Sequence, residues 1–110
     1  MKMMSLRTMY EALGLSRRVI QGYEQAGLLK PTGKNKYGHL LYDDEAFGRA
    51  KEIRFLQQLG FQLKEIKELI DAPKEVMKEA LKRRLEELES EKERLGQLIQ
   101  EAHEYMDGLK

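Results

Sequence analysis

The sequence predicts a mostly α chain: short helices around a small β-hairpin, then a long C-terminal coiled-coil helix. Three observations carry this. Apolar residues recur at helical spacing through most of the chain. Capping residues and glycines stand where such helices would start and stop. From Lys74 onward the spacing changes to a heptad. The length of 110 residues suits one compact domain and one appendage, with bounds expected at 1–72 and 73–110.

Leu6, Met9, Tyr10 and Leu13 define the first helix, with Ser5 as its N-cap and Gly14 as its stop. Ser16 caps a second, whose apolar stripe is Val19, Ile20 and Tyr23. Gly27 occupies the position where a left-handed residue would end it. Two short helices joined by a glycine-containing turn form a helix-turn-helix signature. Residues 30–42 mix turn formers with Tyr37, Leu40, Leu41 and Tyr42 and read as a hairpin, its tip expected near Thr32 to Lys36. Lys30, Lys34 and Lys36 make it a basic wing, in which Tyr37 and Tyr42 are expected to pack.

Asp43 caps the next helix, with Asp44 and Glu45 in its first turn and Phe47, Ala50, Ile53, Leu56 and Leu59 on its core face. Gly60 ends it. Gln62 or Leu63 opens a short helix carrying Leu63, Ile66, Leu69 and Ile70, and Pro73 introduces the last one. There Leu81, Leu88, Leu95 and Ala102 form one heptad series, and Lys78, Leu85, Lys92, Ile99 and Met106 the other. A helix over 74–106 would be about 50 Å long. One narrow apolar stripe of that length needs a cover, and a second copy of the same helix supplies it. The dimerisation residues are then Leu81, Leu85, Leu88, Leu95, Ile99, Ala102 and Met106. Spacing leaves parallel and antiparallel pairing open.

Charge points to the partner. The net charge is +1, but residues 1–42 hold seven Lys/Arg and two Glu, a balance of +5. The remainder holds thirteen Lys/Arg and seventeen Asp/Glu, a balance of −4. A basic front suits a polyanion. In a helix-turn-helix, Arg17 and Arg18 at the start of the second helix are expected at phosphates or base edges of double-stranded DNA. Lys30, Lys34 and Lys36 are expected on phosphates. His39 has two open readings, contact with the DNA backbone or minor groove, and a structural or solvent-facing role. Tyr23 combines a core-facing ring with a hydroxyl expected to reach phosphate.

Other chemistry is thin. With no cysteine, thiolate metal sites and thiol redox sensing are excluded. His39 and His103, the latter among acidic neighbours, show no Asp/Glu pairing pattern of a metal site, so no metal or cofactor is expected. No nucleophile triad, phosphate loop or carboxylate pair appears, so the chain does not read as an enzyme. No apolar run approaches a membrane span and no signal peptide opens the chain, so a cytoplasmic location is expected.

The string LGLSRRVIQGYEQAGLLKP at 13–31 resembles the recognition segment of MerR-family regulators. YGHLLYDDEAF at 37–47 is similar to the wing and following helix of that family, and LQQLGFQLKEIKELI at 56–70 to its second helical pair. The order of parts agrees over nearly the whole chain. The resemblance implies a winged helix-turn-helix, an antiparallel coiled-coil dimer, a pseudo-palindromic operator and regulation by DNA distortion. It leaves room for RNA polymerase or another protein as an additional partner. Departures fall on the DNA face. Where the family usually has Arg, two aromatics and Glu, this sequence has Gln21, Gly22, Tyr23 and Glu24. Where the wing usually reads Gly-Tyr-Arg, it has Gly38, His39 and Leu40. Effector-sensing relatives carry a ligand domain or metal-binding loop after the dimerisation helix; none is expected by Lys110. A diverged module that binds protein instead of DNA, and an architectural protein that bends DNA without a signal, are the rival expectations.

Overall fold

Local capping chemistry sets the helix boundaries in the computed structural model, which describes residues 2–109. Met1 and Lys110, the outer ends of the two expected domains, lie outside the described residues. The Ser5 hydroxyl accepts from Thr8 N–H at the start of α1 (Leu6–Leu13). The Ser16 hydroxyl accepts from Val19 N–H at the start of α2 (Arg17–Gln25). Asp43 does the same for Ala46 N–H at the start of α3 (Asp44–Leu59). Each cap satisfies one of the donors that a helix leaves unpaired in its first turn. Gly14 and Gly60 close α1 and α3 at φ 67° and 111°, where a side chain would be strained. α4 (Leu63–Leu69) opens on a capping box, in which Gln62 N–H donates to the Glu65 carboxylate. α5 (Lys74–Asp107) follows Pro73.

The chain divides into two units, 1–72 and 73–110. In the first, three short strands form an antiparallel sheet in the order β1-β3-β2. These are β1 (Met4–Ser5), β2 (Gly33–Lys34) and β3 (Leu40–Tyr42). The hairpin of β2 and β3 is the expected wing. β1 is an addition: Met4 pairs with Tyr42 and Ser5 with Leu41. Two residues carry no alternation, so nothing local announces this strand; β3 recruits it.

The wing corrects a second expectation. Its tip lies at 35–39, not at 32–36. Thr32 N–H donates to Leu41 O, which keeps that end in the ladder, and Gly33 and Lys34 are strand. Gly38, at φ 82°, makes the turn. Tyr37 does not pack: it is 72% exposed, whereas Tyr42 is fully buried.

The core of this unit is Met9, Leu13, Ile20, Tyr23, Leu28, Leu29, Tyr42, Ala46, Ala50, Ile53, Leu56 and Ile66. Helices α1 to α4 and the sheet all contribute. Val19 departs from the expected stripe and is exposed; at 100° per residue it falls on the flank of α2, off the face of Ile20 and Tyr23. The second unit is α5 alone, and it contains no buried residue.

Candidate nucleic-acid interface

α2 is held on one side and free on the other. Ile20 and Tyr23 are buried at 0% and 1% exposure. Two long-range hydrogen bonds add to that anchor. The Tyr23 hydroxyl donates to Gln57 Oε1 of α3 at 2.7 Å. The Tyr42 hydroxyl of β3 donates to Glu24 Oε1 at 2.6 Å. Burial pushes the Tyr23 phenol above its ordinary pKa. It does the same to Tyr42, and the adjacent Glu24 carboxylate adds to that rise. Both phenols stay protonated and act as donors.

This overturns one expectation. The Tyr23 hydroxyl does not stand free for phosphate. Its ring fills the core and its proton is given to Gln57, so Tyr23 positions the helix. Anchoring by positions 20, 23 and 24 turns the opposite face outward, where Arg18, Gln21 and Gln25 are exposed; Arg17, in the first turn and also exposed, stands on the side of Glu24.

The wing tip is built on Asn35. Its side-chain oxygen accepts from Tyr37 N–H and His39 N–H at 2.9 and 3.0 Å. Its backbone N–H donates to His39 O, and its carbonyl accepts from Gly38 N–H. These bonds fix a tight loop from which Lys36, Tyr37 and His39 project, all exposed. The Lys36 ammonium lies 5.2 Å from the Tyr37 ring centroid, and the Tyr37 and His39 rings are 6.3 Å apart. Lys34 is the cross-strand partner of Leu40. Directly paired residues share a sheet face, so Lys34 brings a cation beside the position where the wing otherwise shows Leu40. Lys30 is also exposed.

Arg49 is a positioning residue that sequence reasoning did not find. Its Nε donates to Leu28 O at 2.8 Å, and its two terminal nitrogens grip the Asp71 carboxylate at 2.6 and 2.9 Å. The segment linking α2 to the wing is thereby tied to α3 and to the end of α4. Hydrogen bonding to Arg49 holds the Asp71 carboxyl below its usual range, against an opposing effect of desolvation. Nothing local marks the pair, because its members stand 22 residues apart. Among the described residues, no three His, Asp or Glu side chains come together as a metal site.

α5 presents its own surface. Leu85, Leu95, Ile99 and Met106 are 45–60% exposed. Leu81 and Leu88 are half-buried, and Ala102 is exposed. Two shallow apolar grooves run along this seam, one at Leu81 and Leu85, the other at Leu88, Leu95, Gly96 and Ile99. Leu98 and Tyr105 widen the apolar surface beyond the heptad series toward the C-terminal end.

Comparison with known proteins agrees with this geometry. Residues 4–73 match the family described as MerR HTH family regulatory protein, and residues 48–103 match the one described as MerR, DNA binding. The HTH-type transcriptional activator mta of Bacillus subtilis (strain 168) is 37% identical over 90 residues, 82% of this chain and 35% of that protein. The HTH-type transcriptional regulator SkgA of Caulobacter vibrioides is 30% identical over 90% of this chain and 39% of its own length. The chain spans about a third of the length of curated relatives it matches. Among solved structures, the N-terminal part of the Bacillus subtilis multidrug transporter activator, MtaN, superposes with a TM-score of 0.72 at 32% identity, covering 94% of this chain and 97% of that one.

Proposed function

The chain belongs to the MerR family of helix-turn-helix regulators, and from that premise we propose that it is a transcriptional regulator that binds double-stranded DNA as a homodimer. The observation that carries the reading is the orientation of α2. Ile20 and Tyr23 are buried, Tyr23 and Glu24 are hydrogen-bonded to α3 and β3, and Arg18 stands on the opposite side, with Arg17 exposed in the first turn. A helix held in that way enters a major groove with its first turn toward base edges and phosphates. Lys30, Lys34 and Lys36 of the wing then meet the flanking backbone, with His39 beside them. A second copy covers the α5 seam through Leu81, Leu85, Leu88, Leu95, Ile99, Ala102 and Met106. The family favours antiparallel pairing, so that two winged units address a two-fold symmetric site. No described helix is long and apolar enough to cross a membrane, and the proposal assigns the protein to the cytoplasm, where the DNA is. RNA polymerase bound to the same promoter is the further partner to examine.

The test is selection from a random duplex pool followed by a salt titration. The expected result is a two-fold symmetric site with a log–log salt slope of about −0.9 per phosphate contacted. Arg18→Ala should weaken binding and leave the oligomeric state unchanged; unchanged affinity in that variant removes its assigned role. A second reading rests on Gln21 and Leu40, which stand where the family usually carries arginine. A folded dimer that recovers no DNA would point to a protein-binding module.

A further inference from the structure

Gly22 lies in the middle of α2 and does nothing for the protein that contains it. Its backbone is helical and it is not one of the positive-φ glycines. A Cβ added there would meet nothing within 4 Å. An interior glycine weakens a helix relative to alanine, so the residue is a cost with no return inside the chain. Gly48 and Gly96 have equally open surroundings, so space alone does not single out Gly22. Its location does. Arg18, Gln21 and Gln25 are its neighbours at i−4, i−1 and i+3, all exposed. They ring it on the face turned away from Ile20 and Tyr23. The result is a notch in the backbone between polar side chains, on the surface that meets DNA in the reading above.

We propose that Gly22 is the point where the α2 backbone closes against the major groove, and that Gln21 beside it reads adenine. The proposal rests on the DNA-binding reading and adds a specificity-determining pair to it. A groove wall or base edge approaches a glycine more closely than any residue with a side chain. Seating the helix more deeply brings the short reach of Gln21 to the base edges. Its amide offers one acceptor and one donor in a plane, the complement of adenine N6–H and N7. The Gln21 side chain has no hydrogen-bond partner among the described residues, so both groups are available. It carries no charge, so it serves base discrimination and not phosphate neutralisation.

Gly22→Ala separates this from a structural role, because the two predict opposite signs. The variant should melt roughly 3–6 °C higher than the parent and bind the duplex recovered by selection about tenfold more weakly. Gln21→Ala should keep affinity for non-specific duplex. It should lose roughly ten- to hundredfold discrimination when one A·T pair of each half-site is changed to G·C. A Gly22→Ala protein that melts higher and binds the duplex undiminished overturns the close approach. One that melts lower overturns it too, because the glycine would then serve the fold. Undiminished A·T preference in Gln21→Ala overturns the reading role. If the parent selects no duplex at all, the DNA-binding reading falls first and this inference with it.

Discussion

The winged unit and the long helix solve the same problem in opposite ways. Residues 4–72 bury a core of apolar side chains within the chain; Ile20, Ile53, Ile66, Met9 and Tyr42 are fully inaccessible. The 34 residues of α5 bury none. Contacts among four short helices and a sheet close a core with few residues, whereas a single helix has nothing of its own to fold back on. Burial of a Leu or Ile is worth roughly 1.5–3 kcal/mol only when something covers it. The first unit therefore carries its stability internally, and the second would gain it from the association proposed above. The charge differs in sign between them: residues 1–72 hold twelve Lys/Arg and nine Asp/Glu, and residues 73–110 hold eight Lys/Arg and ten Asp/Glu.

Substitutions can break this contrast at either end. The largest effect is expected from Leu85→Asp combined with Ile99→Asp. Two charges in the exposed seam should leave a monomer throughout the micromolar range in sedimentation equilibrium, with much of the α5 helicity lost from the circular dichroism spectrum. Retained dimerisation would show that another face of α5 does the pairing. Ile53→Ala should cost about 2–5 kcal/mol of the winged unit's stability in urea unfolding, without moving the seam. A loss well below 1 kcal/mol would mean that the core relaxes around the cavity.

Tyr42→Phe is expected to be milder, about 1–2 kcal/mol, because it removes one hydrogen bond to a charged acceptor. It also has a pH signature. Burial and the Glu24 carboxylate raise the phenol above its ordinary pKa of 10.0 in the folded protein. Above that pH the unfolded chain gives up the proton first, so stability is full below about pH 10 and declines as the pH climbs. Tyr42→Phe should flatten part of that decline in alkaline melts, the remainder belonging to Tyr23, which shifts in the same direction. The smallest effect is at Asp71. Its carboxyl is held below the ordinary value of 3.8 by Arg49, so its contribution is present above that pH and is lost as the pH falls through the acid range. Asp71 is 73% exposed, and solvent screening keeps the contribution small. Asp71→Asn should lower stability slightly at neutral pH and remove this part of the acid-side loss; an unchanged acid-side slope would mean that other carboxylates set it.

Much of this architecture was readable from residue order. Ser5, Ser16, Asp43, Gly14, Gly27 and Gly60 mark helix ends because capping and left-handed backbone are local matters, decided by a residue and the three or four after it. The heptads of α5 are similarly local. The candidate site was readable in part: Arg17, Arg18, Lys30, Lys34, Lys36 and His39 are exposed, whereas Tyr23 gives its hydroxyl to the core. What the order of residues could not supply is any bond between distant segments. Tyr23 finds Gln57 across 34 positions, Tyr42 finds Glu24 across 18, and Arg49 finds Asp71 across 22. The pairing of β1 with β3 spans a similar gap. Polar groups brought together by packing take whichever partner the fold delivers, and that choice is made only once the helices and sheet have met. The sequence by itself determined where the helices begin and end and which faces are apolar. Tertiary structure alone decided which polar groups lock α2 in place, Gln57 for Tyr23 and Tyr42 for Glu24, because those partners are brought into reach only when distant segments pack.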